Sequence, residues 1–265
     1  MVKAKSPINM TDTLPTYLDL WERTLNWQPT LEQQATFQSL YEGILAGNQQ
    51  LNLTRITAPD EFWEKHLWDS LSGISPWLAS PSPDTDPMDA DPTEAPIRLI
   101  DIGTGGGFPG IPAAIALSPA AIDLTLVDAT RKKIFFLQQL CQQLRLPATC
   151  IAERAETLGR EPAHRASYDL ALVRAVGPAA TCVEYAMPFL KVGAQAVLYR
   201  GQWSPLETED LLPVIDLLGG ELTDLRSWQT PLSDSRRHCL FIHKDRPTPD
   251  AFPRAVGVPN KSPLT

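Results

Sequence analysis

The chain has 265 residues, 43% of them hydrophobic, a net charge of -8 and a pI near 5.0. That length supports one large α/β core with additions or two small domains, and one main core is the default. The acidic balance excludes a general nucleic-acid coat, which grips phosphate through clustered Lys and Arg, and Cys141, Cys150, Cys182 and Cys239 form no C-x-x-C pair, so they are expected reduced and buried rather than in a disulfide frame or metal site.

The first ten residues, MVKAKSPINM, have two lysines and no apolar stretch behind them, and nowhere does a run of about 18 apolar residues occur. The expectation is a cytoplasmic chain without a membrane or DNA partner. Residues 1–78 read as a helical extension: LPTYLDLWERTLNW, then TLEQQATFQSLYEGILAG with Leu31, Phe37, Leu40, Tyr41, Ile44 and Leu45 near helical spacing, then APDEFWEKHLWDSL with Pro59 near its start. Residues 79–96 are rich in Pro and Asp and lack aromatics, the composition of a disordered insertion.

From residue 97 to 245, short apolar runs alternate with helices: IRLIDI, a helix from about Pro109, IDLTLVDA, RKKIFFLQQLCQQL, ATCIAE, YDLALVRAV, AATCVEYAMPFL, GAQAVLYRG, a helix from about Pro205, then ELTDLRSW and RHCLFIHK. Strands separated by helices of this length imply a doubly wound, mostly parallel α/β sheet, and the last two runs, joined only by QTPLSDS, an antiparallel edge hairpin. Residues 246–265 form a basic tail. Residues 231–265 hold six Lys or Arg against three acids, which leaves that stretch at +3 and the remainder at -11.

The stretch RLIDIGTGGGFPGIP, residues 98–112, runs from a strand into a glycine turn, and in such sheets ligands bind outside the carboxyl ends of the strands. A phosphate-binding P-loop requires a lysine that is absent between Arg98 and Arg131. A dinucleotide fingerprint fits only as Gly105, Gly107 and Gly110, which leaves Asp101 unexplained. The pattern Asp101-x-Gly103-x-Gly105-x-Gly107 uses every residue, and Asp128 adds a carboxylate 25 residues beyond Gly103, at the end of the next strand. A ligand with cationic groups and ribose hydroxyls suits two acids, whereas a pyrophosphate is repelled by them. Strand-end capping is the plain alternative for both acids. The pattern resembles the first motif of class I S-adenosylmethionine-dependent methyltransferases. A nicotinamide oxidoreductase and a non-catalytic RNA-binding module stay open beside it.

Seven segments carry a more specific likeness: NLTRIT (52–57), EFWEKHLWDSL (61–71), DIGTGGGFPGIP (101–112), VDATRKKIFFL (127–137), ERAE (153–156), VRAVG (173–177) and FPRAVGVPNKSPL (252–264). Together they resemble the bacterial small-subunit rRNA methyltransferase G family, also known as glucose-inhibited division protein B. The resemblance implies helices ahead of a class I methyltransferase sheet, S-adenosylmethionine as cofactor, and methylation at N7 of a guanine in the 530 loop of 16S rRNA, in the small subunit or an assembly intermediate. The class I likeness implies that Asp101 and the glycines, Gly105 among them, meet the methionine part, and the family resemblance that Gly103 and Phe108 line the cofactor, that Asp128, Ala129 and Thr130 hold the ribose and adenine, that Ala155 and Glu156 flank the adenine, and that Arg174 closes the site.

Guanine N7 has an in-plane lone pair and no proton to lose, so no catalytic base is expected; His66 and Arg174 are candidates for positioning. His66 and Asp69, three apart on a helix, form an RNA-facing pair or a packing contact. Lys132, beside Arg131 and Lys133, grips phosphate or is simply solvated. Arg236, Arg237, Arg254 and Lys261 are the stronger RNA candidates, because their segment has the only sustained positive balance. Phe62, Trp63 and Trp68 read as core, and Thr54 as part of a structural turn.

Overall fold

The structure is a computed structural model that describes residues 13–78, 95–117 and 122–265. The leader reading, and nearly all of the proposed 79–96 insertion, lie outside the described residues. Seven strands form one sheet in the order β3-β2-β1-β4-β5-β7-β6: β1 (Ile97–Ile102), β2 (Ile122–Val127), β3 (Ala148–Ile151), β4 (Tyr168–Arg174), β5 (Leu190–Arg200), β6 (Gly220–Gln229) and β7 (Arg236–Lys244). The first five run parallel, and β7 inserts antiparallel between β5 and β6. The expected hairpin is therefore present at the edge.

The strands read as near-continuous apolar runs because both faces are covered. Leu99, Leu124, Leu126, Leu170, Leu172 and Val197 face one core, while Ile100, Ile102, Val127, Ala171, Val173 and Leu198 alternate into the other. The second core lies under α7 (Ala155–Leu158), α8 (Ala179–Ala186) and α9 (Pro205–Leu217). The first is shared with α5 (Gly110–Ala116), α6 (Arg131–Gln143) and the helices that precede the sheet, α1 (Leu18–Leu25) and α2 (Leu31–Asn48). Those leading helices are no separately cored unit: Trp21, Phe37, Trp63 and Trp68 belong to the same cluster as β1 and β2. Trp21 packs edge-on to Trp63 at 4.7 Å between ring centroids, and Trp68 Nε1 donates to Thr24 Oγ1 at 2.8 Å.

Local chemistry starts these helices. Thr30 and Gln33 exchange the reciprocal bonds of a capping box at α2, and Ser204 and Glu207 do the same at α9, with Pro205 in the first turn. Residues 59–72 depart from the expected single α-helix. After α3 (Pro59–Phe62), residues Trp63–Trp68 wind as a π-helix before α4 (Asp69–Ser72) resumes. Widening the turn lets this segment bury Trp63, Leu67 and Trp68 while holding Glu64, His66 and Asp69 toward three different partners. Among the described residues no helix is long and apolar enough to cross a membrane.

Candidate active site

Because β1 is flanked by β2 on one side and β4 on the other, the chain direction of crossover reverses at its carboxyl end, and a crevice opens there. The turn after β1 is pinned to the end of β2, with Gly103 N and Thr104 N both donating to Val127 O, at 2.8 and 3.0 Å. Gly103 has φ +71°, and a Cβ there would stand 2.5 Å from Val176 Cγ2, so only glycine fits between β1 and the loop after β4. Gly110 opens α5 against Asp101, where a Cβ would meet the carboxylate at 2.8 Å.

A cavity of about 460 Å³ lies over this turn, within the usual range of small-molecule sites. The turn contributes Gly103, Gly105 and Phe108 to its lining, the end of β2 contributes Asp128, Ala129 and Thr130, the start of α7 contributes Ala155 and Glu156, and the end of β4 contributes Arg174. Sequence reading had gathered all nine. Asp101 is the exception: it is fully buried beneath the turn rather than on the cavity wall. Its Oδ2 accepts from Thr104 Oγ1 at 2.6 Å and Gly110 N at 2.8 Å, and its Oδ1 is buried without a partner. Burial pushes this carboxyl up to about 6, against the pull of those two bonds and of Arg174.

Asp128 also shapes the turn. Its Oδ2 accepts from Gly105 N at 3.0 Å and its Oδ1 from Thr130 N at 2.8 Å, so one carboxylate ties the glycine loop to the start of α6 while still facing the cavity. Glu156 is pinned from three sides, by Arg154 Nη2 at 3.0 Å, Tyr185 Oη at 3.0 Å and the backbone N–H of Gly257 at 2.9 Å. Burial would raise this carboxyl, but the bonds from Arg154, Gly257 and Tyr185 outweigh it and hold the group below its ordinary range.

The remaining wall joins the leading helices to the sheet. The His66 ring stacks on Phe108 at 4.3 Å and 9°, and its Nε2 is 2.8 Å from Thr54 Oγ1. Burial, with Arg174 and Lys65 nearby, lowers its pKa to about 3, so the imidazole is neutral. Arg174 donates to Asp69 Oδ2 at 2.7 Å and to Lys65 O at 3.2 Å, and Asp69 also pairs with Arg237 at 3.3 Å. Of the two readings for His66 and Asp69, the fold shows packing contacts, though not with each other: the two residues brace Phe108 and Arg174 respectively.

The structure redistributes the RNA candidates. Arg254 is paired with the fully buried Glu184, its Nη2 2.6 Å from Oε2, so its charge is already engaged within the fold. Residues 246–265, expected as a basic tail, instead strap the sheet's second face: Arg160 and Arg165 bind carbonyls of Ala251 and Phe252, and Thr181 Oγ1 donates to Pro259 O. Arg237 is committed to Asp69, while Arg236 and Lys261 are exposed. Lys132 lines a separate groove, and its neighbour Lys133 lines the cavity. The lining residues that sequence reading missed include Tyr185, which reads as core, Arg154, whose neighbour Glu156 was found, and Asn260, which lies far off in the chain. Among the described residues no cluster could hold a metal ion.

A doubly wound sheet with a reversed penultimate-position strand, and a glycine turn and strand-end acids around one crevice, is the Rossmann-like fold of class I S-adenosylmethionine-dependent methyltransferases. A family profile described as rRNA small subunit methyltransferase G (GidB) matches residues 33–238. Curated relatives bearing the name ribosomal RNA small subunit methyltransferase G include one from Nostoc punctiforme, 50% identical over 96% of this chain and 100% of its own length. Another from Synechococcus elongatus is 51% identical over 92% of this chain and 95% of its own. The chain belongs to the rRNA small subunit methyltransferase G family and is a methyltransferase. Overlap with solved structures is partial: a putative methyltransferase from Thermoplasma acidophilum shares 14% identity over 57% of this chain and 70% of that chain, with a TM-score of 0.43.

Proposed function

We propose that this chain transfers a methyl group from S-adenosylmethionine to N7 of a guanine in the 530 loop of 16S rRNA, acting in the cytoplasm on the small ribosomal subunit or its assembly intermediate. The residues present suit the cofactor. Asp128 offers oxygens for ribose hydroxyls, and Gly105, where a Cβ would meet only Gly103 O at 3.8 Å, leaves backbone open to close approach. When bound, the cofactor supplies an electrophilic methyl on a sulfonium.

The observation that supports N7 is the geometry of His66: its ring is stacked on Phe108 and its Nε2 is engaged by Thr54 Oγ1, so the one histidine among the described residues of the cavity wall is committed to packing. That accords with an acceptor atom that loses no proton. The chain's contribution is then positioning and exclusion of water: Phe108, backed by His66, presents an aromatic face, and Arg174 is held in place by Asp69. The guanidinium of Arg174 lies 5.8 Å from the Phe108 ring centroid, which orders the wall before substrate arrives.

The test is methyl transfer from labelled S-adenosylmethionine to small subunits from cells that lack their own enzyme, with the labelled nucleoside identified by mass. Label in 7-methylguanosine is the expected result. Label in another nucleoside discards N7, and calorimetric cofactor binding without label on the subunit discards the rRNA assignment.

A further inference from the structure

Next to the cofactor cavity, α2 and α6 border a groove of about 660 Å³. The two cavities share the first turn of α6: Thr130 and Lys133 line the cofactor cavity, while Arg131 and Lys132 line the groove. Gln50, Phe135 and Gln139 add to its wall, and no carboxylate does. On a chain with 31 Asp and Glu against 23 Lys and Arg, that lining runs against the average charge.

The cations here are unspent. Arg131 and Lys132 join none of the ion pairs among the described residues, whereas Arg154, Arg174, Arg226, Arg246 and Arg254 are each held by an acid. They also occupy the first turn of a 13-residue helix, where the helix dipole opposes positive charge rather than favouring it. Phe135, one turn on and on the same face, is 63% exposed. A solvent-facing ring, two uncommitted cations and side-chain amides are the components with which proteins hold unpaired nucleotides, through stacking, phosphate contact and base-edge hydrogen bonds.

We propose that this groove seats an unpaired nucleotide of the RNA substrate next to the target base, which stacks on Phe135 while Arg131 and Lys132 take the adjoining phosphates. The inference rests on the rRNA reading above and adds to it a second nucleotide site. Leu51 and Phe136 floor the groove, and the two exposed cations beside Phe135, with no carboxylate in the described lining, match a phosphate-bearing strand.

Three full-length variants test it: Phe135→Ala, Phe135→Trp and the double variant Arg131→Ala with Lys132→Ala. Affinity is measured by filter binding, over a salt series, for small subunits and for protein-free 16S rRNA, alongside cofactor affinity by calorimetry and thermal unfolding. Phe135→Ala is expected to weaken both RNA affinities roughly 5- to 100-fold, and Phe135→Trp to restore them. The double variant should lower the slope of log affinity against log salt by about 1.4, two single-strand phosphates. Cofactor affinity should stay unchanged in all three. Unaltered affinity and slope overturn the proposal, as does a loss confined to assembled subunits, which would indicate a ribosomal protein in the groove. A wild-type chain that binds neither particle also overturns it. Because binding is read without methyl transfer, a chain that holds rRNA through the groove yet methylates another base or none defeats the proposed function and leaves this inference standing.

Discussion

Asp101 shows how far one carboxylate is set by its surroundings. In sequence it is simply the acid at the end of the first strand; in the fold it is fully buried, with two donors on one oxygen and none on the other. Its raised pKa of about 6 means that the folded chain keeps a proton over a range in which the unfolded chain, near 4, has released it. The stability this group contributes is thus full below pH 4 and lost as pH rises through 6, by about 3 kcal/mol for a two-unit shift. Denaturant unfolding of the ligand-free chain at pH values from 4 to 7 measures it. Relative to Asp101→Asn, the wild type should lose stability across that window, and parallel curves would show that the carboxyl is already ionised at pH 4.

At the scale of elements, the π-helical turn does what a regular helix could not. Glu64, 2% exposed, accepts from Leu232 N at 2.6 Å and Ser233 N at 2.8 Å, and so clamps the turn between β6 and β7. Two residues on, His66 meets Phe108, and Asp69 bridges Arg174 and Arg237. The edge hairpin and the cavity wall therefore hang from one segment. Burial alone would raise the Glu64 carboxyl, but the bonds from Ser233 and Leu232 win and depress it, so its contribution is present above the unfolded pKa and is lost as pH falls through the folded one. Glu64→Gln keeps the shape and removes the charge; roughly 1 kcal/mol per bond should be lost near neutral pH, with faster amide exchange at Leu232 and Ser233. Unchanged exchange at those two amides would place the anchor of the turn elsewhere.

Across the whole molecule, the C-terminal segment turns from a candidate RNA arm into part of the frame. Arg254 neutralises Glu184, 70 positions away, Gly257 helps to hold Glu156, 101 positions away, and Asn260 reaches the cavity lining, so distant segments of the chain close one side of the site. Arg254→Ala leaves a buried carboxylate unpaired and should cost about 3–5 kcal/mol in unfolding free energy. The salt slope of RNA binding, measured on the folded variant at low temperature, should not move. A stable variant with a shallower slope would return Arg254 to the RNA interface.

The elements and most of the cofactor crevice were legible in the chain because they depend on local signals. Alternation of apolar runs with helical spacing defines a doubly wound sheet, and turns at strand ends fall where such sheets bind ligands, so Gly103, Gly105 and Asp128 could be gathered from spacing, while Phe108 and Arg174 came from the family resemblance. Net charge along a segment could not say which cations are free, since a guanidinium is neutralised by whichever acid the fold brings to it, as Glu184 is brought to Arg254. Nor could spacing reveal that Asp101 lies under the turn or that Tyr185 and Asn260 meet the cavity. Burial and pairing are properties of long-range contact, and only the tertiary structure decides them.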